Sequence, residues 1–556
     1  MKYSDVLQST CDRAVSAQRN RAGIAALLVG LTLITPFLAG RVMARPSDQG
    51  RTTPTPSQTE QPAATTSVEP YSVDNTFNSG QFAVDAFAGS INNNYLGKKV
   101  VQLANGDLIV AGVVPQFGSA TPSVNLGLIR YNAAGQRQVW ANPGAYGFNG
   151  DQYVVYPNTP SPTGANVVNV LDMKVFGNRL FVLIDRSFSA IDSDSRVVVF
   201  STDGQYLNIT SAFGGDEAEY SGGMAIWDNQ IFPSTVSIAV AGTTYEGGVA
   251  RPSFRKGTVN ADGSISFDAT VFPNPGNYCP TSRGCELHGI ATGGRAGFGS
   301  PPRLYLAGSR LQELGGMNWD YLVMQVSSTG VPATGFAGNG VTTVPFDIGG
   351  DRYDRANTIV ATSGLLTSND ALYLVGFTRF GCTDGIGIAK LKQDGSLDHT
   401  FGDFFATPAG PRTGKTVIGA SVQAPPNCPS TAVATYGNAA TLSSDESRLA
   451  IAGFSVATPF CSTPPCAEPQ VDTDFRVLDV ASGTAIASLY TRYTIPPSVA
   501  RARHSGFWGI AAGPSNTFIA TGDVRYFQAA PGQPAGKQQY ATLRFRPDRI
   551  FANGYD

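Results

Sequence analysis

The sequence predicts an all-β protein, a seven-bladed β-propeller of four-stranded blades that follows an N-terminal export signal and a disordered linker. Three observations carry this. A short apolar strand closing on small residues recurs seven times, beginning at residues 108, 180, 238, 304, 372, 449 and 518. These starts lie 58 to 77 residues apart, a period in the range of propeller blades. Between them the chain reads as short strands and Gly, Asn or Asp turns, with no long amphipathic helical stretch.

The 556 residues would otherwise suggest several domains, but in a repeat array each unit buries its apolar face only against its neighbours. Only 14% of residues are charged, Gly and Pro number 63 and 36, and the formal net charge is -2. That profile suits a turn-rich exported β protein and provides no basic surface for nucleic acid or anionic lipid.

Residues 1–44 begin with Lys2, Arg13, Arg19 and Arg21, continue into an apolar run from Ala22 to Ala39 and end on Val42-Met43-Ala44. This is the layout of a signal peptide cleaved after Ala44. An uncleaved signal anchor is the alternative, because the run approaches the length that spans a bilayer and Arg41 and Arg45 flank it. In that case alone would the protein touch a membrane. Residues 45–73, with many Pro and Thr and few large apolar side chains, read as a linker.

The propeller is expected over residues 74–550 and a short tail over 551–556. Each apolar strand, such as Leu372-Tyr373-Leu374-Val375-Gly376, follows a tight turn, here Asn369-Asp370. A longer loop leads to an alternating strand, which ends at a second turn such as Asp203-Gly204, Asp262-Gly263 or Asp394-Gly395. Two central strands, a hairpin before each and a strand at either edge make a four-stranded blade, and closing seven of them removes exposed edges. Residues near 74–100 are expected to supply the strand that completes the last blade, built by 506–548.

The stretch from Phe336 to Phe401 shows the unit in full. It opens on Phe336-Ala337-Gly338-Asn339-Gly340, turns at Gly349-Gly350-Asp351, and closes on Asp394-Gly395-Ser396-Leu397-Asp398 before Phe401-Gly402. Partial echoes stand at Asp74-Asn75-Thr76-Phe77, Tyr146-Gly147-Phe148-Asn149-Gly150 and Phe213-Gly214-Gly215-Asp216. These residues resemble the delta-60 repeat family over most of 74–550, with the pattern degenerate in blades two, three and six. The resemblance implies a propeller-like array in an exported bacterial protein, and the family brings no established catalytic residues.

Of seven cysteines, six follow the signal: Cys279, Cys285, Cys382, Cys428, Cys461 and Cys466. An even number in an exported chain reads as disulfides. The turn-forming intervals favour Cys279 with Cys285 and Cys461 with Cys466, leaving Cys382 with Cys428. Asn125, Asp194, Asp320, Asp384 and Asp474 recur before the third strand and are expected at equivalent places around the ring. They would either cap their own turns through backbone N–H groups or form a carboxylate ring able to hold Ca²⁺, the one cofactor the sequence suggests. His288, His399 and His504 fall in different blades without zinc-ligand spacing, and nucleophile-elbow, phosphate-loop and haem motifs are missing from the sequence. The final eight residues, from Arg549, resemble a short terminal tag of some secreted proteobacterial proteins, with an ordinary closing strand as the alternative.

Two functions are consistent with this. The first is a non-catalytic extracytoplasmic scaffold, monomeric, binding a protein or carbohydrate through the variable loops 115–124, 157–166, 309–319, 377–385, 454–473 and 523–538. The second is a propeller enzyme, a lyase, hydrolase or quinoprotein dehydrogenase, with its site at the central channel. A convergence of His, Arg, Tyr and carboxylate side chains on one mouth of the channel would mark the second.

Overall fold

A computed structural model describes residues 71–85, 95–115, 124–156, 167–187, 193–210, 219–228, 235–246, 249–273, 278–279, 284–295, 300–312, 318–346, 353–362, 370–380, 383–403, 411–419, 431–459, 470–491, 502–526 and 537–548. They form seven antiparallel four-stranded blades in a seven-bladed β-propeller. The innermost strands are Leu96–Gln102, Val167–Phe176, Glu219–Asp228, Cys285–Arg295, Asp354–Ala361, Thr431–Leu442 and Ala502–Ala512. Each touches the next, and the seventh touches the first, so together they wall a central channel.

The second strand of each blade is covered on both faces, which is why it is a continuous apolar run rather than an alternating one. In blade 5, Leu372, Tyr373, Leu374 and Val375 are all fully or almost fully buried. Strands also run further than their sequence implied. The second strand of blade 5 spans Ala371–Phe380 and its third Thr383–Lys392, so most of the loop expected at 377–385 is paired backbone.

Adjacent blades are latched by one recurring contact. The tight turn between third and fourth strands ends on a glycine that lies against a large side chain of the preceding blade. Gly135 meets Phe77, Gly204 meets Trp140, Gly263 meets Leu207, Gly330 meets Phe254, Gly395 meets Phe336 and Gly483 meets Phe401. Four latches share a backbone hydrogen bond: Asn78, Asn142, Ala337 and Gly402 donate to the carbonyls of Ala134, Asp203, Asp394 and Ser482 at 2.8 to 3.1 Å. At two latches an Asp-x-Thr-Phe sequence, at 74–77 and 398–401, sets the aromatic ring. Asp398 accepts from the Thr400 N–H at 3.1 Å and pairs with Lys390 at 3.0 Å, turning Phe401 inward. Asp74 repeats this with the Thr76 N–H at 2.9 Å and Arg544 at 2.6 Å, burying Phe77.

Closure follows the expected route. The third strand of blade 7, Lys537–Pro547, is completed by Tyr71–Val73 and Ala83–Asp85. Tyr71 lies opposite Pro547 and Ala83 opposite Thr542. The domain thus starts a few residues earlier than expected, within the segment read as linker.

Removing residues 71–85 is expected to abolish cooperative melting of the whole domain, because it deletes the outer strand and one latch at once; circular dichroism melts of wild-type and truncated protein decide this, and an unchanged transition would disprove the closure. Gly395→Ala is expected to cost about 2 to 4 kcal/mol in denaturant unfolding. At φ 85° an L side chain is strained, and the new methyl would stand 3.0 Å from the Phe336 ring.

Candidate functional site

The wall of the channel is set by a bulge repeated in every blade. In every blade but the second, a glycine inside the second strand packs on inner-strand backbone: a side chain at Gly308 would stand 1.8 Å from the Glu286 carbonyl oxygen. Opposite this point the inner strand slips register by one residue. The extra residues are Lys98, Leu171, Gly222, His288, Asn357, Asn438 and Trp508. Bulges re-aim side chains and often sit beside functional sites. Some of these seven are structural. Asn357 donates to the Gly437 carbonyl at 2.9 Å and Asn438 to that of Phe507 at 2.8 Å, joining consecutive inner strands. His288, Trp508 and Lys98 break that pattern.

His288 belongs to a polar cluster that spans blades 3 to 5. Arg355 donates from Nε to His288 Nε2 at 3.0 Å and pairs through Nη2 with Glu286 at 2.8 Å. Tyr245 donates to Glu286 at 3.2 Å, and half-exposed Tyr220 packs edge-on to Tyr245 with ring centroids 5.8 Å apart. Burial opposes the Glu286 charge, but Arg355 above all, with His288 and Tyr245, holds its carboxyl down to about 2. Burial and the Arg355 charge keep His288 neutral, and its accepting Nε2 places the ring proton on Nδ1. The Tyr245 phenol is driven well above its usual range by burial and the Glu286 charge. The cluster is therefore a preformed ion pair flanked by hydrogen-bonding groups.

From this cluster an aromatic arc follows the same end of the strands. Successive centroids lie 6.5 Å from Trp319 to Tyr353, 5.5 Å to Phe377, 5.8 Å to Tyr436, 5.0 Å to Phe454 and 5.4 Å to Trp508. The Lys98 ammonium stands 4.0 Å from the centroid of the Trp508 ring, a cation–π contact across the junction of blades 7 and 1. Burial lowers Lys98 to about 8, against the attraction of Asp523. Asp523 in turn accepts from Trp508 Nε1 at 2.6 Å and Gln538 Nε2 at 2.5 Å.

The expected ring of acidic residues is only partly a ring. Asn125, Asp194 and Asp320 lie opposite Val114, Arg186 and Arg310 and share one register position, but Asp384 lies opposite Arg379 and Asp474 opposite Gly453. Asn125, Asp194 and Asp320 stand 10 residues before their turn glycines, Asp384 stands 11 and Asp474 stands 9, and on a strand a one-residue difference turns the side chain to the other face. Among the described residues, four of them bond to side chains. Asp194 faces Arg196 at 3.4 Å, and Asp320 accepts from Gln312. Asp384 accepts from Arg379 at 3.0 Å and Tyr436 at 2.7 Å; Asp474 accepts from Arg476 at 2.5 Å and Ser455 at 2.7 Å. Turn capping falls instead to the acids inside the turns: Asp262 accepts from the Ser264 N–H at 2.8 Å and Asp394 from the Ser396 N–H at 2.9 Å.

Cys279 and Cys285 form the expected disulfide, both buried with Cα atoms 5.6 Å apart, and it anchors the strand that carries Glu286 and His288. Cys382, Cys428, Cys461 and Cys466 lie outside the described residues. His399 bonds the Arg412 carbonyl at 2.9 Å, away from the channel, and His504 lies on the inner strand of blade 7. Sequence reading noticed His288 only through Cys285-Glu286-Leu287-His288 and missed Arg355, Tyr245, Lys98 and Trp508. Aligning the inner strands on the glycine of each second strand would have gathered the bulge residues.

Neither a protein-family model nor a curated protein matches the sequence. Among solved structures, the chain is similar to the α-L-arabinofuranosidase Arb93A of Fusarium graminearum at 10% identity and TM-score 0.34, covering 73% of this chain and 96% of that one. It is also similar to Chaetomium thermophilum Sqt1 at 9% identity and TM-score 0.35, covering 84% and 99%. A Trypanosoma rangeli sialidase mutant with trans-sialidase activity matches at 9% identity and TM-score 0.29, covering 81% and 54%. Likeness this distant says nothing about what this chain binds.

Beside the cluster, Asp185 is buried, accepting from the Ser195 hydroxyl and weakly from the Ser221 N–H at 3.5 Å. Burial, with a smaller push from Glu219, raises its carboxyl to about 8. The unfolded chain releases this proton near pH 4 while the folded one keeps it to about 8. Stability contributed here is therefore full at low pH and falls as pH rises through that window, by up to about 1.4 kcal/mol per pH unit. Asp185→Asn is expected to flatten this part of the curve in melts at stepped pH; an unaltered slope would contradict the assignment.

Proposed function

We propose that the protein is a non-catalytic, extracytoplasmic binding propeller of the delta-60 type, whose ligand, a carbohydrate chain, lies across the channel end bordered by the aromatic arc. The arc carries the reading. Half-buried Tyr353, Phe377, Tyr436 and Trp508 offer aromatic surface at their accessible edges, with Lys98 and the Tyr245–Glu286–His288–Arg355 cluster as polar neighbours. A sugar ring has an apolar C–H face and a hydroxyl edge, and this pairing of surfaces complements both. The Cys279–Cys285 disulfide and the export signal support the compartment.

The enzyme reading also has an observation in its favour, since Glu286, His288, Arg355 and Tyr245 do converge at the channel. Their existing bonds weigh against it. Both Glu286 oxygens are already engaged, by Arg355 and Tyr245, and His288 Nε2 accepts from Arg355, so these proton-accepting atoms are committed within the cluster.

A glycan array probed with the exported protein tests both readings. Trp508→Ala is expected to weaken the best-bound glycan about tenfold, the loss of roughly 1 to 2 kcal/mol of stacking. Full affinity in that variant would overturn the arc as the binding surface. Time-dependent release of reducing ends, lost in Glu286→Gln, would establish the enzyme reading instead.

A further inference from the structure

The lysine at the junction of blades 7 and 1 carries a charge that the fold leaves unmatched. Lys98 is the bulge residue of the first inner strand and is half-buried in the channel wall. Among the described residues its ammonium meets no hydrogen-bond acceptor; it rests over the Trp508 ring, 4.0 Å from the centroid. A ring face offsets only part of what a cation loses when water is removed from it.

The acids nearby are committed elsewhere. Asp523 accepts from Trp508 and Gln538, and Asp172, on the next inner strand, accepts from the Met173 and Met224 N–H groups at 2.8 and 2.9 Å. Lys99 also neighbours Asp172, and Lys174 stands 3.4 Å from it. Lys98, Lys99 and Lys174 thus share Asp523 and Asp172, whereas Arg355 in blade 5 is matched by Glu286. This side of the channel therefore favours a negative group.

The wall next to Lys98 offers acceptors rather than charge. Asn357 and Asn438 donate from Nδ2 to the inner-strand carbonyl of the following blade, at 2.9 and 2.8 Å. A carbonyl can bond only the amide nitrogen, so each of these contacts fixes which way its amide is turned. Among the described residues neither Oδ1 receives a donor, and both side chains are half-buried. Two amide oxygens at the same position of blades 5 and 6 are left for a ligand that brings its own donors. A bare inorganic anion would leave them unused, a cation would be repelled by the lysines, and a neutral sugar would leave Lys98 without an acceptor.

We infer that the carbohydrate at the channel is acidic: its anionic group, a carboxylate or a sulfate, pairs with Lys98 while its hydroxyl groups donate to the amide oxygens of Asn357 and Asn438. This rests on the reading of the aromatic arc as a carbohydrate surface and adds the charge of the chain to it.

Isothermal titration calorimetry at pH 7 on the full-length exported protein tests it with two matched pairs, polygalacturonate against its methyl ester and dextran sulfate against dextran. At least one acidic chain is expected to bind about tenfold more tightly than its neutral partner, and which pair shows the difference tells carboxylate from sulfate. The preference should shrink as salt is raised. Lys98→Met should bring the acidic chain down to the level of its neutral partner, Lys98→Arg should retain the preference, and Lys392→Met, at an exposed lysine of blade 5, should change nothing. Asn438→Leu should weaken the acidic chain without altering its salt dependence, because it removes a hydroxyl acceptor and no charge. Melting curves confirm that each variant is folded. Failure of both acidic chains to bind, or an acid preference that survives Lys98→Met, would overturn the inference. Equal affinity within both pairs would overturn it as well, while leaving the arc standing as a surface for neutral glycans.

Discussion

Everything at the channel depends on one close approach of backbone to backbone. A glycine within the second strand lets the inner strand come so near that no side chain fits between them, and the inner strand accommodates this by bulging. The bulge residue is freed from the ladder and becomes part of the channel wall. Blade 2, which carries Ile184 in place of the glycine, still bulges at Leu171, so the glycine is not required in every blade. Seven equivalent positions thus arise from one backbone rule. Which chemistry stands at each is left open, and this chain places asparagines at two, linking blades, and histidine, lysine and tryptophan at three others.

The latches do for the outer rim what the bulges do for the centre. A turn glycine against an aromatic ring needs the turn of one blade and the side chain of the previous one, so neither blade completes the contact alone. Stability in such an array resides in interfaces between neighbours as much as within units. That explains why Asp, Thr, Phe and the turn glycine are the residues by which the repeat is visible: they are the parts of each blade that face another blade.

The fold was legible because its demands are local and repeated. Continuous apolar second strands and turn glycines answer backbone and packing needs that recur in nearly every copy, and the Asp-x-Thr-Phe motif answers one at two of the latches. The channel cluster was not legible. Glu286, Arg355 and Tyr245 come from three different blades, and nothing in the sequence separation of Tyr245 and Arg355 indicates that both reach one carboxylate. Spacing also misplaced Asp384 and Asp474, since positions one residue nearer to or farther from the turn than the others cannot be equivalent on a strand whose side chains alternate. Asp185 and Glu219 carry no signal in composition, because their altered acidity comes from burial and neighbours that exist only after folding.

The clasp between residues 71–73 and 545–547 fixes an order of events. The first strand of the domain has its partner at the far end of the chain, so six blades can assemble while the seventh waits with an unpaired edge. Pairing across more than 470 residues is slow to find, since the loop it closes is almost the whole domain. Until then the open edge of Lys537–Pro547 is a template for any other strand, including the same opening segment of a second copy. Crowded molecules folding together would therefore be prone to exchange their first strands, and dilution during refolding would favour the self-closed ring.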